Sequence, residues 1–378
     1  MRVTRFNEDA AKKLFEARFQ ALENARAHAA SRPTDFVLVA GDLFDDNSVE
    51  RTTSERALKL LESFPCRVFV LPGNHDPLCG GSVWERAPWS RTNADNKVSV
   101  LRERIPIHVS PEVLLFPCPV TTKTSLHDPF NWVKQERNGI RIGVGHGSVM
   151  DRPQLPEDDH PIPTDTPARR CLDYVALGHW HTERRFADGR MAYPGTHEQM
   201  RFSAATFATG WEAQSSTQLE EFAGAGLGNA LHVSLAAPGA APKVETITVG
   251  QLRWVDESRA ILKGEDLDRT FAELADAKSP EKTLLRLSLN GLLPMDKLAT
   301  LEGMKAMLSR YVWHEVDDAG LSLAPSDNEL AALSAKGVSG NVLSRIQAEL
   351  ANIAEGSRKE LLEHARLVFY RTAREVEQ

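Results

Sequence analysis

Four apolar, β-prone runs in the first half of the chain each end at or just before a glycine, and an aspartate, asparagine or histidine follows that glycine. The runs are Phe36–Ala40, Val68–Leu71, Ile140–Val144 and Tyr174–Leu177. Short apolar runs bounded by such residues are typical of buried strands. Because the carboxyl ends of the strands in an open α/β sheet share one edge, we expect the polar residues that follow to converge there on a single site.

Other segments show helical or alternating patterns. Residues 8–30 place apolar side chains at helical spacing, which predicts an amphipathic helix. Residues 230–235 and 244–249 alternate between apolar and polar side chains and predict a β-hairpin. Further along, the pattern predicts helices at residues 266–277 and 294–311 and strands at residues 283–289 and 313–316. Two more helices are predicted within residues 341–377.

Together these patterns predict an α/β protein with three parts. Residues 1–255 are expected to form the core, residues 256–325 a small α/β cap module, and residues 326–378 a helical C-terminal region. The apolar faces of the last region suit it to binding a partner. Packing against its own cap module is an equal alternative.

The residue types after the four apolar runs indicate a metal site. Aspartate, asparagine and histidine together suit Mn²⁺, Fe²⁺ or Zn²⁺, whereas Mg²⁺ prefers oxygen ligands and structural zinc sites usually include cysteines. A pair of such ions can activate water and stabilise an in-line displacement at phosphorus. Hydrolysis of a phosphate ester is therefore the expected reaction.

The same residues resemble the motif series of the calcineurin-like metallophosphoesterases, which reads D-x-H, G-D, G-N-H-[DE], G-H and G-H-x-H. Four of the five blocks occur here in order, as Gly41-Asp42, Gly73-Asn74-His75-Asp76, Gly145-His146 and Gly178-His179-Trp180-His181. The resemblance covers roughly residues 1–255 and implies the sandwich core of that family.

The resemblance also implies a role for each matched residue. Asp42 would bridge two metal ions. The further ligands of one ion would be Asn74, His146 and His179, and His181 would be a ligand of the other. By the same resemblance His75 is catalytic and faces the scissile phosphate. Asp76 would orient the imidazole ring of His75, whose ordinary pKa lies near neutrality and suits proton transfer.

The amino-acid sequence around three motifs is similar to that of the bacterial DNA repair exonuclease branch of the family. Members of that branch work with coiled-coil ATPases in double-strand-break processing. The similar stretches are residues 39–45, residues 71–76 and Tyr193-Pro194-Gly195-Thr196. This similarity implies DNA as substrate, a coiled-coil ATPase subunit as partner, and two Mn²⁺ ions in the complete protein, with Fe²⁺ or Zn²⁺ as alternatives. It also allows a homodimer.

The first block, D-x-H, and the strand that carries it are missing from the sequence, so the predicted core lacks its first strand. Either a further segment of about 15–20 residues, enough for a strand and a loop, precedes Met1, or the chain has lost one metal position. We favour the first alternative, because a sheet without one strand exposes unpaired backbone groups. The second would leave a catalytically impaired scaffold. Asp9 and His28 are the nearest substitutes, and we expect both to face solvent.

Composition places limits on these expectations. The chain has 378 residues, 42% of them hydrophobic, and no apolar segment of about 18 residues that could span a membrane, so a cytoplasmic protein is expected. The four cysteines show no metal-binding spacing and are expected to be reduced packing residues. They are Cys66, Cys79, Cys118 and Cys171.

The net charge of −7 is not typical of a protein that binds nucleic acid by itself. A phosphodiesterase or phosphatase acting on small nucleotides, which the same metals would serve equally well, is the alternative to the nuclease. Four arginines near the metal motifs are candidates for contacting a phosphate backbone, although a solvated surface is the more expected role for each. They are Arg51, Arg56, Arg184 and Arg185.

Overall fold

The structure, a computed structural model, describes residues 6–92, 96–151, 159–202, 227–324 and 337–353, and residues 358, 359, 361, 362, 365, 366 and 369. The chain divides into two compact units, the first made of residues 1–200 and 227–252 and the second of residues 201–226 and 253–378. The three-part division expected from the sequence stays a prediction. Residues 326–336 of its C-terminal part lie outside the described residues.

Helices of the first unit include the amphipathic helix that the sequence predicts. Helix α1 spans Glu8–Ser31, and the side chain of Asn7 caps it by accepting a hydrogen bond from the Ala10 N–H. Its buried residues are small or apolar and recur at helical spacing; they are Ala10, Leu14, Ala17, Ala21 and Ala29. Two shorter helices follow, α2 at Arg51–Glu62 and α3 at Thr166–Arg169.

Two larger sheets and a hairpin make up the β-structure of the first unit. The parallel sheet has the order β1-β2-β3, with strands at Phe36–Ala40, Arg67–Leu71 and Val98–Val100. The mixed sheet has the order β4-β5-β6-β7-β9-β8; β4 to β9 are Ile107–Ser110, Val113–Pro117, Ile140–His146, Tyr174–Gly178, Glu183–Phe186 and Met191–Pro194. Strands β10 (Asn229–Ser234) and β11 (Lys243–Thr248) form the expected antiparallel hairpin.

The four strands that lead to the metal motifs are confirmed, but they belong to two sheets. Strands β1 and β2 lie in the parallel sheet, and β6 and β7 lie in the mixed sheet. The two sheets share one apolar core, which includes Phe69 and Leu71 of the first and Ile142 and Val144 of the second. Apolar runs with no polar alternation are buried on both faces, so such strands can sit in either layer of a sandwich. Their carboxyl ends still meet at one edge.

The second unit includes a small parallel sheet and helices that supply residues to its core. Strands β12 (Arg253–Ile261), β13 (Thr283–Leu293) and β14 (Trp313–Leu323) are paired in that order. Helices α4 (Gly264–Ala275) and α5 (Leu298–Met307) supply residues to its core. The sequence pattern predicts these elements except β12.

Helical structure continues near the end of the chain. Helix α6 spans Gly337–Asn352, and the described residues from 358 to 369 are also helical. In the part of the chain that the structure describes, no helix is both long and apolar enough to cross a membrane.

Candidate metal centre

Side chains from both sheets converge beyond the ends of β1, β2, β6 and β7. The Nε2 atom of His146 lies 2.9 Å from the Oδ1 atom of Asn74 and 3.1 Å from the Oδ2 atom of Asp42. The Nδ1 atom of His179 lies 3.4 Å from the same Asn74 oxygen. Ligand atoms of Asp42, His146 and His179 all lie within 4.8 Å of one another. Four of the five predicted metal ligands are thus brought together.

Glycines allow the strand ends to approach each other this closely. A Cβ atom on Gly178, the last residue of β7, would lie 1.8 Å from the carbonyl oxygen of Ala40 at the end of β1. A Cβ atom on Gly41 would lie 2.1 Å from the Nδ1 atom of His146. A side chain would not fit at the glycine that precedes each polar residue.

The two residues that follow these glycines have strained backbones. Asp42 has a φ of 52° and His179 a φ of 115°, both in a region that side chains rarely adopt. Such strain tends to be stored at functional sites, where the surrounding structure holds it in place. Here it directs the two side chains, which follow the ends of β1 and β7, toward the shared centre.

The hydrogen bond of His146 determines which of its ring atoms faces the cluster. Its Nδ1 atom lies 2.8 Å from the carbonyl oxygen of Ala40, which can only accept, so Nδ1 carries the proton of the neutral ring. The Nε2 lone pair then faces a carboxylate oxygen of Asp42 and the amide oxygen of Asn74, which are also acceptors. His146 is fully buried, so water does not reach its Nε2 atom. A divalent cation would satisfy all three acceptors at once.

The donor set fits the metals that the sequence predicts. One carboxylate, one amide oxygen and two imidazoles suit Mn²⁺, Fe²⁺ or Zn²⁺ better than Mg²⁺. Burial acts to raise the pKa of Asp42, but its polar neighbours, the His75 N–H among them, outweigh that effect and hold the pKa below its ordinary value. Asp42 is therefore an anion at neutral pH, as a metal ligand requires.

His75 contacts the cluster through its backbone and leaves its ring accessible. Its N–H donates to the Oδ1 atom of Asp42 at 2.9 Å. The Nδ1 atom of the exposed ring lies 3.1 Å from the carbonyl oxygen of Asp45, to which it donates. The ring is thus oriented by a carbonyl, and its Nε2 atom is the one available to a substrate.

Asp76 is fully buried and bonded to backbone groups. Its Oδ1 atom accepts from the Gly73 N–H at 2.7 Å and its Oδ2 atom from the Phe44 N–H at 3.0 Å, which ties the loop after β1 to the loop after β2. Burial raises the pKa of Asp76 to about 8. The expected bond from Asp76 to the His75 ring does not occur among the hydrogen bonds of the described residues. The described contacts make Asp76 a support for the two loops.

Three other candidate residues lie apart from the cluster. His181 is exposed and does not belong to the group within 4.8 Å, so its role as a ligand of a second ion stays a prediction. Asp9 is exposed in the first turn of α1, as expected. His28 does not face solvent as expected, because its ring packs at 5.6 Å against that of His232.

Asp159 belongs to the site although the sequence gives little sign of it. Its Oδ2 atom accepts from the Nε2 atom of His179 at 2.8 Å and also from the hydroxyl of Ser148. Burial acts to raise the pKa of Asp159, but these two hydrogen bonds outweigh it and the pKa is lowered. The residue lies in a stretch rich in proline and acidic residues, with no strand pattern before it. The one available signal is that its partner Ser148 lies two residues after His146 of the Gly-His motif.

The four candidate arginines for backbone contact are all engaged in ion pairs. Arg51 and Glu55 lie 2.6 Å apart, Arg56 and Glu16 2.7 Å, and Arg185 and Glu183 2.8 Å, while Arg184 pairs with Asp151. Pairing lowers the net positive charge that each could offer to a phosphate. These contacts agree with a role at the solvated surface.

The comparisons with known proteins match part of the chain. The family model described as calcineurin-like phosphoesterase matches residues 14–183, a range that contains Asp42, Asn74, His146 and His179. A search of the curated proteins returns no match.

Proposed function

Starting from a calcineurin-like phosphoesterase domain over residues 14–183, we propose that the protein is a metal-dependent phosphodiester hydrolase that cleaves DNA in double-strand-break repair. The observation that carries the proposal is the convergence of three acceptor atoms that face one another: His146 Nε2, Asn74 Oδ1 and Asp42 Oδ2. The choice of DNA over other phosphodiesters rests on the similarity of the sequence around the motifs to that of the exonuclease branch.

Mn²⁺ is our proposed metal. One such ion would be held by four side chains, those of Asp42, Asn74, His146 and His179. When bound, the ion would activate water and polarise the phosphoryl oxygens of the substrate. A second ion, with His181 among its ligands, remains part of the proposal by resemblance. Asp42 contributes the negative charge that attracts the cation, and the neutral imidazoles supply nitrogen lone pairs.

His75 is proposed as the group that assists the leaving oxygen. Its Nδ1–H is occupied by the Asp45 carbonyl, so a proton for the substrate would be held at Nε2 of the protonated ring. As the bond from phosphorus to the 3′ oxygen breaks, that oxygen takes the Nε2 proton and leaves as a hydroxyl. The backbone bond to Asp42 keeps the ring beside the metal position throughout.

A partner is part of the proposal, because the chain shows few signs of holding DNA by itself. It carries a net charge of −7, and the four arginines near the motifs are already paired. A coiled-coil ATPase subunit that binds DNA would supply the missing affinity. We propose that the C-terminal helical region, which includes α6 at Gly337–Asn352, contacts that subunit.

The test compares substrates with Mn²⁺ present. The purified protein is given linear duplex DNA, supercoiled DNA and cyclic nucleotides, and the products are quantified. The proposal expects nucleotides or short oligonucleotides to be released from linear DNA, with EDTA abolishing the reaction. Turnover of cyclic nucleotides with DNA left intact would contradict the nuclease.

The second candidate is a phosphodiesterase or phosphatase acting on a small nucleotide. The same acidic charge and the same paired arginines favour it, since a small substrate needs no extended basic surface. The metal cluster would serve both reactions equally well. Addition of an ATPase partner separates the two, because only the nuclease should respond to it.

A further inference from the structure

We propose that Asp159 is a positioning residue that holds His179 in the one tautomer able to bind the metal. The inference rests on the proposed metal site and adds a residue that neither the motif series nor the resemblance includes. It starts from one contact, the 2.8 Å hydrogen bond between the Nε2 atom of His179 and the Oδ2 atom of Asp159.

The direction of this hydrogen bond sets the tautomer. An ionised carboxylate can only accept, so the Nε2 atom of His179 must carry the proton. The neutral ring then has its lone pair on Nδ1, the atom that lies 3.4 Å from the Oδ1 atom of Asn74. Histidines that bind metals usually donate their other ring N–H to a carboxylate or a carbonyl in this way. Asp159 thus turns the metal-binding atom of His179 inward.

Asp159 is itself held by both of the motifs that supply imidazole ligands. The hydroxyl of Ser148, two residues after His146, donates to its carboxylate, and the Ser148 N–H donates to its carbonyl at 3.0 Å. The Nε1 atom of Trp180, which follows His179, donates to the Ser148 hydroxyl at 3.0 Å. Ser148 is fully buried, so its hydroxyl is shielded from water. One chain of hydrogen bonds therefore connects the two ligand motifs through Asp159.

His179 needs such support more than His146 does. The His146 ring is fully buried and its Nδ1 atom is fixed by the carbonyl of Ala40, a backbone group of the parallel sheet. His179 follows the end of β7, its side chain is 17% exposed, and its φ of 115° lies outside the strand region. The strand therefore does not set the ring orientation. Asp159 fixes the ring of His179 by accepting its N–H, as the Ala40 carbonyl fixes the ring of His146.

The test measures the tautomer and the metal affinity, both without substrate. Full-length protein labelled with ¹⁵N in its histidines is prepared without metal, and NMR correlations of the ring nitrogens report which one of His179 is protonated. Titration calorimetry with Mn²⁺ alone gives the affinity. Asp159→Ala removes the acceptor, whereas Asp159→Asn keeps a neutral acceptor of the same shape. Asp151→Ala is the matched control, because Asp151 is 20% exposed against 18% for Asp159 and pairs with Arg184 instead of a ligand.

For wild type we expect a His179 ring protonated at Nε2. Asp159→Ala should mix the two tautomers and weaken Mn²⁺ binding about 10–100-fold, the usual effect of losing such a partner. Asp159→Asn should keep the tautomer and lose less affinity than the alanine variant, while Asp151→Ala should match wild type in both readouts. If the alanine variant does not fold, the asparagine variant decides.

Two results would overturn the inference. One is wild-type Mn²⁺ affinity in Asp159→Ala or, should that variant not fold, in Asp159→Asn. The other is a wild-type His179 ring protonated at Nδ1. Failure of the proposed function looks different, because wild type itself would then bind no Mn²⁺ while the NMR spectrum still reported the tautomer.

Discussion

Space at single glycines decides whether the strand ends can meet. Gly178→Ala would place a methyl group 1.8 Å from the Ala40 carbonyl, a backbone atom that cannot move alone. We expect this variant to lower the free energy of unfolding by about 1–3 kcal/mol, the usual cost of overpacking. Gly80→Ala is the control, since its Cβ would meet nothing within 4 Å. Denaturant unfolding measures both, and equal stability of the two variants would contradict the close approach.

His75 and Asp42 should fail in different ways when substituted. His75 contacts Asp42 through its backbone N–H, which an alanine retains, so His75→Ala should bind Mn²⁺ normally. Losing its proton transfer should slow hydrolysis about 10²–10⁴-fold. Asp42→Ala removes the charged ligand and should lose both metal and activity. Metal analysis of the two purified proteins is the measurement, and an equal loss of Mn²⁺ would refute this division of roles.

The cysteines should differ in reactivity with a thiol reagent. Cys79 is exposed, whereas Cys118 is fully buried, and burial raises the pKa of the Cys118 thiol to about 12. Because the thiolate is the reactive form, Cys79 should react within the fast phase and Cys118 after unfolding. The Cys79→Ser variant should lack one equivalent of fast-reacting thiol. A fast phase of unchanged size in that variant would contradict the assignment.

Among the elements, strands whose residues are apolar on both faces are predicted correctly from the sequence pattern. Strands β1, β2, β6 and β7 were all predicted, because such runs have no other stable place than a core. Strand β12 was not, because its central residues are charged and its pattern resembles a surface segment. The structure compensates this charge with ion pairs such as Asp256 with Arg286 and Glu257 with Arg259. Partners of this kind are set by tertiary structure and are not visible in one segment.

A buried carboxyl group fastens the segment that follows the hairpin. Glu198, 1% exposed, accepts from the N–H groups of Gln251 and Leu252 at 2.6 and 3.0 Å. Burial raises the pKa of Glu198 above its ordinary value of 4.5. The folded protein therefore holds this proton more tightly than the unfolded chain. The stabilising contribution is complete below pH 4.5 and declines as the pH rises through the raised pKa.

Glu198→Gln should remove this pH dependence, because glutamine does not ionise. We expect the free energy of unfolding of wild type, relative to the variant, to fall as the pH rises above 4.5. Urea unfolding at several pH values measures the difference, with the exposed Glu112→Gln as control. A difference that is constant across the range, or that grows with pH, would contradict the raised pKa.

For the whole molecule, the metal motifs predict which residues form the cluster, but not how they are supported. Asp42, Asn74, His146 and His179 were predicted because each follows a recognisable strand. Three features depend on contacts between separate segments of the chain: the division of those strands between two sheets, the hydrogen bond from His146 to Ala40, and the hydrogen bond from His179 to Asp159. Periodicity within a segment carries no information on such contacts. Supporting residues are accordingly the part of the site that needs a structure.

The position of bound Mn²⁺ tests the account most directly. Crystals grown with Mn²⁺ should show an anomalous scattering peak bounded by the Asp42 carboxylate, the Asn74 amide oxygen and the imidazole nitrogens of His146 and His179. The peak should be absent from crystals of Asp42→Ala prepared in the same way. An ion bound elsewhere, or no ion at millimolar Mn²⁺, would contradict the central claim that these side chains form a metal centre.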